Sequence, residues 1–221
     1  MLFRGIVMYK AYIFDFDYTL GDSSEGIVES VLHALSQLDE EAKTAEEIRK
    51  TIGLSLRETY FTLTSSKNEE RAEQFATYFK EKADEVMVAS TQIYEPVKQV
   101  FTSLRENGCK IGIVTTKFHY RIDAILAKFH MTEMVDIIVG GEDVKAPKPN
   151  PEGLLYAIEK LQLEKVDILY IGDSVVDAKT AQAAKVDFAG VLTGTTTEED
   201  FMAYRNVCIT ENLYGIQKEL E

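Results

Sequence analysis

The sequence has few cysteines, no long apolar segment and too few basic residues to balance its acidic ones. Two cysteines in 221 residues, Cys109 and Cys208, exclude a disulfide framework and favour a reduced, cytoplasmic setting. No apolar run is long enough to cross a membrane. The formal net charge of −13 argues against nucleic acid or an anionic membrane as a partner. We therefore expect a cytoplasmic monomer or homodimer that captures anionic ligands with local positive groups.

The composition that remains is that of a folded globular protein. Hydrophobic residues make up 45% of the chain and charged residues 28%, which is typical of a soluble domain with a proper core. The sequence contains no internal repeat and no low-complexity tract. The residues before Met8 form a short, mildly apolar extension, and we leave open whether translation begins at Met1 or at Met8.

Strand and helix patterns alternate along most of the chain. Apolar runs typical of buried strands begin at residue 12 and recur at 110–114, 134–139, 167–171, 188–192 and 207–209. Apolar residues at helical spacing separate them, and a terminal helix begins at Leu213. The alternation predicts an α/β protein with a Rossmann-like, doubly wound parallel sheet. Ligands of such sheets bind beyond the carboxyl ends of the strands.

One region departs from this alternation, because residues 23–90 contain no strand pattern. Its apolar residues instead follow helical spacing in four successive segments. We predict an all-helical cap domain at 21–95, inserted into an α/β core that is formed by 1–20 and 96–221.

Two aspartates follow the first apolar run, in the stretch Asp15-Phe16-Asp17. Alternation along an extended backbone sends Asp15 and Asp17 to one side and Phe16 to the other. Two like charges this close are costly unless a cation or a shared proton is present. Mg²⁺ is the natural cation for an all-oxygen site with room for a phosphate. Alone, the pair is better interpreted as a solvated acidic turn, so a magnesium site depends on the other strand ends.

Those strand ends supply the other groups that phosphoryl transfer needs. Thr115 and Thr116 follow the second strand, and Asp173 follows the fourth, with Asp177 four residues further on. Lys148 follows the third strand, in a loop that three of the chain's four prolines stiffen. In a parallel sheet these groups converge on one edge, where carboxylates can hold a metal and hydroxyl and ammonium groups can bind phosphate.

These segments, in this order, resemble the four motifs of the haloacid dehalogenase superfamily of hydrolases. The matching residues are Asp15-Phe16-Asp17-Tyr18-Thr19, Thr115, Lys148-Pro149 and Gly172-Asp173-Ser174-Val175-Val176-Asp177. The helical insertion after the first motif resembles the cap of the phosphoglycolate phosphatase and β-phosphoglucomutase-like branch. The resemblance extends from about residue 10 to the C-terminus, and four ordered motifs are far more specific than one.

The resemblance implies a Mg²⁺-dependent phosphatase that works through an aspartyl-phosphate. In it, Asp15 is the nucleophile, and Asp17 protonates the leaving oxygen and later takes a proton from water. The implied direct metal ligands are Asp15, the main-chain carbonyl of Asp17, and Asp173. The fourth implied metal-binding residue, Asp177, acts through a water molecule or by contacting these ligands from behind. The implied phosphate-binding residues are Asp15, Thr115, Thr116 and Lys148. A cis bond before Pro149 is also seen in the family.

The second aspartate narrows the reaction. Family dehalogenases lack it because a halide leaving group needs no proton, whereas the alkoxide of a phosphate ester does. Asp17 therefore indicates a phosphatase or phosphomutase, and phosphoglycolate leads the small phosphorylated metabolites expected as substrates. A sugar phosphomutase and an inorganic pyrophosphatase are the alternatives within the family. A phospho-accepting receiver module is the non-enzyme alternative, which the strand positions of the acids and the long helical insertion oppose.

Three further residues are candidates for substrate binding. Tyr18 stands where many relatives have glycine, next to the nucleophile. Lys117 follows the second strand closely enough to reach a substrate. Arg57 lies in the cap loop 52–58, which resembles the Gly-Leu-Pro-Leu loop of phosphoglycolate phosphatase-like members, and its guanidinium could bind a carboxylate or phosphate in a bidentate fork. An exposed arginine at a helix start is an equally good interpretation of Arg57.

Overall fold

The computed structural model describes residues 9–220, with side chains to residue 216. The choice between Met1 and Met8 as the first residue lies outside the described residues. Among the helices that are described, none combines the length and the apolar character that crossing a membrane would require.

A six-stranded parallel sheet forms the centre of the fold. Six of the eight described strands belong to it, and β2 and β3 form a separate pair. The eight strands are β1 (Ala11–Phe14), β2 (Gly21–Asp22), β3 (Gln92–Ile93), β4 (Lys110–Val114), β5 (Ile137–Val139), β6 (Ile168–Gly172), β7 (Asp187–Val191) and β8 (Cys208–Thr210). The sheet order is β5-β4-β1-β6-β7-β8, and every neighbouring pair is parallel. This order confirms the predicted Rossmann-like α/β fold, with β1 next to both β4 and β6.

Helices connect the strands and form the insertion after β1. They are α1 (Ser24–Gln37), α2 (Ala45–Arg49), α3 (Leu56–Thr64), α4 (Glu69–Ser90), α5 (Glu95–Glu106), α6 (His119–Lys128), α7 (Glu152–Leu161), α8 (Val175–Ala184), α9 (Glu198–Met202) and α10 (Leu213–Leu220). Side-chain caps explain several starts, because Thr44, Ser55, Asn68 and Ser174 each accept a hydrogen bond from a backbone N–H of the first turn.

The central strand is apolar on both faces, and each face packs against its own cluster. Tyr12 and Phe14 belong to a cluster with α5, α6 and α10. Ala11 and Ile13 belong to a cluster on the other side, with α7 and α8. Burial on both faces is why the strand sequence is continuously hydrophobic rather than alternating.

Helices α1 to α4 have a hydrophobic cluster of their own, which includes Val31, Tyr60, Phe75 and Met87. The two chain segments that lead into and out of these helices pair as the antiparallel strands β2 and β3. Sequence patterns missed this pair, because two residues per strand are too few to show a period. The domain limits at 20/21 and 95/96 stay a prediction.

The insertion is tied to the α/β part through α4 and α6. The Arg121 guanidinium, on α6, donates hydrogen bonds to Asp84 Oδ1 over 2.6 and 2.8 Å and to Lys80 O over 3.0 Å. The Lys128 ammonium donates to carbonyls at the end of α4, among them Val88 O at 3.0 Å. A lysine at this end of a helix satisfies carbonyls that have no partner within the helix.

The first strand is shorter than its apolar pattern suggested, because it ends at Phe14. Beyond it, the Phe16 carbonyl accepts hydrogen bonds from the N–H groups of Thr19, Leu20 and Gly21. This turn holds Tyr18 at a φ of 60°. Left-handed backbone is disfavoured for any residue with a Cβ, so a glycine would adopt this turn with less strain than Tyr18 does.

Candidate active site

Seven polar side chains meet at the carboxyl ends of β1, β4 and β6. They are Asp15, Asp17, Thr115, Lys117, Lys148, Asp173 and Asp177, and none is more than 8% exposed. The sequence predicted this convergence, and the structure brings all seven together. A cluster of charged groups this deeply buried requires mutual pairing or a bound ion.

Lys148 lies at the centre of the cluster. Its Nζ is 2.9 Å from Asp15 Oδ1, 2.6 Å from Asp177 Oδ1 and 3.2 Å from the Tyr170 hydroxyl. Burial disfavours its charge, but Asp15 and Asp177 outweigh that cost and raise the pKa of Lys148 well above its usual value. The lysine therefore carries a permanent positive charge, and the Lys148–Pro149 peptide bond is cis.

The Asp177 carboxylate is almost fully occupied by the protein. Its Oδ1 accepts from Lys148 and from the Tyr170 hydroxyl at 2.9 Å. Its Oδ2 accepts from Ser174 N at 3.1 Å and from Ser174 Oγ. A carboxylate with four donors is held rigidly and has little capacity left for a metal, so Asp177 is placed to orient Lys148 rather than to bind a cation directly.

Sequence reasoning missed both Tyr170 and Ser174, although a signal existed for the second. Ser174 and Asp177 form a capping box, Ser-x-x-Asp, at the start of α8. The same four residues were interpreted only as part of a metal motif. Tyr170 gave no signal, because a tyrosine inside an apolar strand is indistinguishable from core packing until its hydroxyl is located.

Asp173 lies at the end of β6, where its Oδ1 accepts a hydrogen bond from Thr19 Oγ1 at 3.0 Å. Burial, with the nearby charges of Asp177 and Asp15, raises the pKa of Asp173 well above its usual value. The approach of the neighbouring loop is tight, because a Cβ at Gly194 would overlap the Asp173 carboxylate. Glycine at 194 therefore keeps this side of the carboxylate clear.

The acidic side of the cluster is suited to a divalent cation. Four buried carboxylates, Asp15, Asp17, Asp173 and Asp177, face two ammonium groups, Lys117 and Lys148, so the cluster has two formal negative charges in excess. Burial raises the pKa of Asp15 to about 6, with Asp177 and Asp17 adding to the shift and Lys148 opposing it. Single oxygens of Asp15, Asp173 and Asp177 lie within 4.8 Å of one another. Because the protein already engages both oxygens of Asp177, Asp15 and Asp173 are the better placed of the three to bind a cation directly. An all-oxygen donor set with two excess negative charges fits Mg²⁺.

Asp17 forms a second, simpler ion pair. Its Oδ2 is 3.1 Å from Lys117 Nζ, whereas its Oδ1 is buried and accepts no hydrogen bond from the described residues. An unpartnered buried carboxylate oxygen costs free energy unless another group engages it. The Asp17 oxygen is therefore available to a reacting group.

Thr115 and Thr116 follow β4. Thr115 N donates to Val139 O at 3.0 Å, and Thr115 Oγ1 accepts from Lys117 N at 3.3 Å. Within the described residues the Thr115 hydroxyl donates to no acceptor, so its proton can bind a phosphoryl oxygen. Thr116 is half-buried and lines the cavities on both sides of the site.

Two of the three substrate-binding candidates do not reach the cluster. Arg57 makes a bidentate ion pair with Glu69 on the surface of the insertion, and its guanidinium stacks on Phe61. The first turn of α3 places it there, away from the cluster, and a role of Arg57 in substrate binding stays a prediction. Tyr18 is buried beside the turn and lines neither cavity described below.

Two cavities flank the cluster between the insertion and the sheet edge. One, of about 60 Å³, is lined by Asp17, Lys117 and Arg121 below and by uncharged, mostly apolar residues of the insertion above. The other, of about 230 Å³, is lined by Thr115, Lys148 and the loop that carries Lys148. The insertion therefore forms one wall of each cavity.

A sequence profile described as haloacid dehalogenase-like hydrolase matches residues 12–191. Pyrophosphatase PpaX of Bacillus cereus (strain G9842) is 32% identical over 179 residues, which is 81% of each chain.

Solved structures agree with that match. One described as a haloacid dehalogenase-like hydrolase from Bacteroides fragilis is 41% identical, with a TM-score of 0.92 over 94% of this chain and 99% of that chain. One described as a predicted phosphoglycolate phosphatase from Haemophilus somnus has 22% identity and a TM-score of 0.85 over 98% of this chain and 100% of that chain, which shows a shared fold alone.

Proposed function

This chain belongs to the haloacid dehalogenase-like hydrolases, and we propose that it is a Mg²⁺-dependent phosphatase of small phosphorylated compounds that forms an aspartyl-phosphate on Asp15. The observation that carries the proposal is the pairing of Asp15 with Lys148, 2.9 Å apart in a buried site, beside a second aspartate with an unpartnered oxygen. A nucleophile held by a cation and a neighbouring proton carrier are what transfer of a phosphoryl group to a carboxylate needs.

In the first half-reaction, an Asp15 oxygen attacks phosphorus and the bond from phosphorus to the leaving oxygen breaks. Asp17, in its protonated form rather than as the carboxylate paired with Lys117, gives its proton to that oxygen, so the leaving group departs with a hydroxyl. The Thr115 hydroxyl donates to a phosphoryl oxygen, and Lys148 offsets the negative charge that carboxylate and phosphate bring together. Lys148 is held for this role by Asp177 and Tyr170.

In the second half-reaction, water attacks the phosphorus of the aspartyl-phosphate. Asp17, now ionised, takes a proton from the water, and the bond between phosphorus and the Asp15 oxygen breaks. Inorganic phosphate leaves, and both aspartates return to their starting states. The insertion limits the water that can reach the site before the phosphoenzyme forms.

Mg²⁺ would be held by Asp15, Asp173 and the main-chain carbonyl of Asp17, with Asp177 acting behind them. When bound, it supplies the charge that lets a carboxylate approach an anionic phosphate. The excess negative charge of the cluster supports this assignment. The raised pKa values of Asp15 and Asp173 support it as well, because they show that the protein alone does not compensate these carboxylates.

Two substrate classes have comparable support. A phosphomonoester such as 2-phosphoglycolate agrees with the insertion and with the branch that the motifs resemble. Inorganic pyrophosphate is favoured by the relatives named as pyrophosphatases, which are 31–33% identical to this chain. The sugar phosphomutase alternative has the same phosphoenzyme and differs in passing the phosphoryl group to a second sugar hydroxyl instead of to water.

The experiment is phosphate release with Mg²⁺ from 2-phosphoglycolate, pyrophosphate, hexose phosphates and nucleoside monophosphates. We expect release from one of the first two, and a loss of about 10⁴-fold or more in Asp15→Asn, because the nucleophile is removed. Transfer between sugar hydroxyls without free phosphate would favour the mutase instead. Equal activity of Asp15→Asn and wild type would contradict the aspartyl-phosphate.

A further inference from the structure

The Lys117 ammonium is buried with a single protein partner. Its side chain is 4% exposed, and among the described residues Nζ pairs only with Asp17 Oδ2, at 3.1 Å. An ammonium group can donate three hydrogen bonds, so two donors have no acceptor from the described protein. The backbone holds the residue in place, because Lys117 N donates to Thr115 Oγ1 and Gly141 N donates to Lys117 O at 3.0 Å. The unmatched donors call for an acceptor from outside the chain.

The space around this ammonium is lined by charged groups on one side only. Asp17 and Lys117 line the lower wall of the 60 Å³ cavity, and Ile52, Leu54 and other uncharged residues of the insertion line the upper wall, together with the hydroxyls of Thr51 and Thr59. The upper wall therefore offers the ammonium no anionic partner. A cavity of 60 Å³ corresponds to about four to six water-sized positions. Any group that enters this space therefore lies close to the ammonium.

We propose that Lys117 determines specificity, by selecting substrates whose leaving group carries a carboxylate or phosphate one or two bonds from the bridging oxygen. The inference rests on the proposed function, in which Asp17 protonates that bridging oxygen. Because Lys117 Nζ is 3.1 Å from Asp17 Oδ2, a group that contacts Lys117 lies next to the oxygen that Asp17 protonates. Glycolate and phosphate are leaving groups of this kind, whereas sugars and nucleosides are not.

The charge of the whole protein makes such a local cation necessary. A net charge of −13 repels anions at long range. Lys148 is already engaged by two carboxylates, so it is committed to the nucleophile side. Arg121, the other cation on the wall of the small cavity, is engaged by Asp84. Of these three cations, Lys117 has the most unused donor capacity for a second negative group.

The test compares two matched substrate pairs in wild type and in Lys117→Met. The pairs are 2-phosphoglycolate against 2-hydroxyethyl phosphate, and pyrophosphate against methyl phosphate. The first member of each pair has a charged leaving group and the second a neutral one.

We expect the kcat/KM of the wild type to favour the charged member of at least one pair by about 10- to 100-fold. Lys117→Met should remove that preference by losing activity with the charged member alone. Lys117→Arg keeps the charge and should keep most of the preference, and Lys160→Met, an exposed lysine, should match wild type.

Two results would overturn the inference. One is a wild type without preference for the charged members, and the other is a Lys117→Met variant that loses charged and neutral substrates equally, which would restrict Lys117 to holding Asp17. A wild type that releases phosphate from no substrate would contradict the proposed function instead. In that case the affinities of 2-phosphoglycolate and 2-hydroxyethyl phosphate for Asp15→Asn and for Asp15→Asn with Lys117→Met, measured by calorimetry, still decide the role of Lys117.

Discussion

The two buried lysines of the site have opposite surroundings. Lys148 contacts Asp15, Asp177 and the Tyr170 hydroxyl, so its ammonium is saturated by the protein. Among the described residues, the Lys117 ammonium pairs with Asp17 alone, and it faces a cavity under an uncharged, mostly apolar wall. Both side chains are almost completely buried, at 5% and 4% exposure. The two lysines are therefore about equally buried, and they differ in the number of protein partners of their ammonium groups.

This difference indicates a division of labour. A saturated lysine is pre-organised and moves little during the reaction, which suits a group that must offset charge on the nucleophile at the moment of attack. A lysine with unused donors is suited to a ligand that comes and goes. The nucleophile side of the site is thus built into the protein, and the leaving-group side is completed by the substrate.

The largest effect is expected when Lys148 is removed. Lys148→Met leaves Asp15 and Asp177 buried without their cation, which should destabilise the protein by about 3 to 5 kcal/mol, or roughly 6 to 20 °C in Tm. Thermal unfolding without Mg²⁺ measures this. Lys145→Met, in the same loop but exposed, should change stability by less than about 0.5 kcal/mol. Equal melting temperatures for the two variants would contradict the saturated network.

The next largest effect is the pH dependence of the stabilisation by Mg²⁺. In the folded protein burial raises the pKa of Asp15 from 3.8 to about 6, so between these values the folded protein holds a proton that the unfolded chain has lost. Metal-free stability must then fall as pH rises through this window. Mg²⁺ needs the ionised carboxylates, so it should stabilise the protein by about 3 to 4 kcal/mol at about pH 8, when present at a hundred to a thousand times its Kd, and by much less at about pH 5.

Melting curves with Mg²⁺ and with a chelator at the two pH values measure this difference. Asp173→Asn serves as the control, because it removes one proposed ligand and should abolish most of the Mg²⁺-dependent shift. A shift that is equal at both pH values, or that survives in Asp173→Asn, would contradict metal binding at this cluster.

The smallest effect is expected when an uncharged partner of Lys148 is removed, which tests the comparison of the two lysines without changing a charge. Tyr170→Phe deletes the hydroxyl that accepts from Lys148 and lies 2.9 Å from Asp177 Oδ1, which should cost about 1 to 3 kcal/mol of stability. We expect kcat to fall with 2-phosphoglycolate and 2-hydroxyethyl phosphate by the same factor, because Tyr170 acts on the nucleophile side. Tyr156→Phe, at an exposed tyrosine, should match wild type. A change in the ratio of the kcat values for the two substrates would contradict the division of labour between Lys148 and Lys117.

Sequence patterns anticipated most of the sheet and the seven clustered side chains, for an identifiable physical reason. Strand ends in a parallel sheet lie at one edge, so polar groups that follow apolar runs must converge there. Thr115, Lys148 and Asp173 were found by this rule. The long helix α4 and the terminal helix at Leu213 were found because helical spacing persists over many residues.

What the sequence did not disclose depends on contacts between distant segments. Arg57 had two interpretations, a substrate ligand or an exposed arginine, and its partner Glu69 is twelve residues away on another helix, a pairing that no local pattern specifies. Asp177 was expected to act through water or from behind the metal ligands, but its contacts with Ser174 and Tyr170 could not be foreseen. The number of partners that separates Lys117 from Lys148 is likewise a property of the folded chain. Cytoplasmic location and a monomeric or homodimeric state stay predictions.

The central claim is that Asp15 carries the phosphoryl group during turnover. Acid quenching of the enzyme within a single turnover, with Mg²⁺ and the best substrate of the panel, followed by mass spectrometry of its peptides, tests this directly. We predict the added mass of one phosphoryl group on the peptide that contains Asp15, and none in Asp15→Asn. Full phosphate release with no modified Asp15 peptide at any quench time, or modification of another residue, would contradict it.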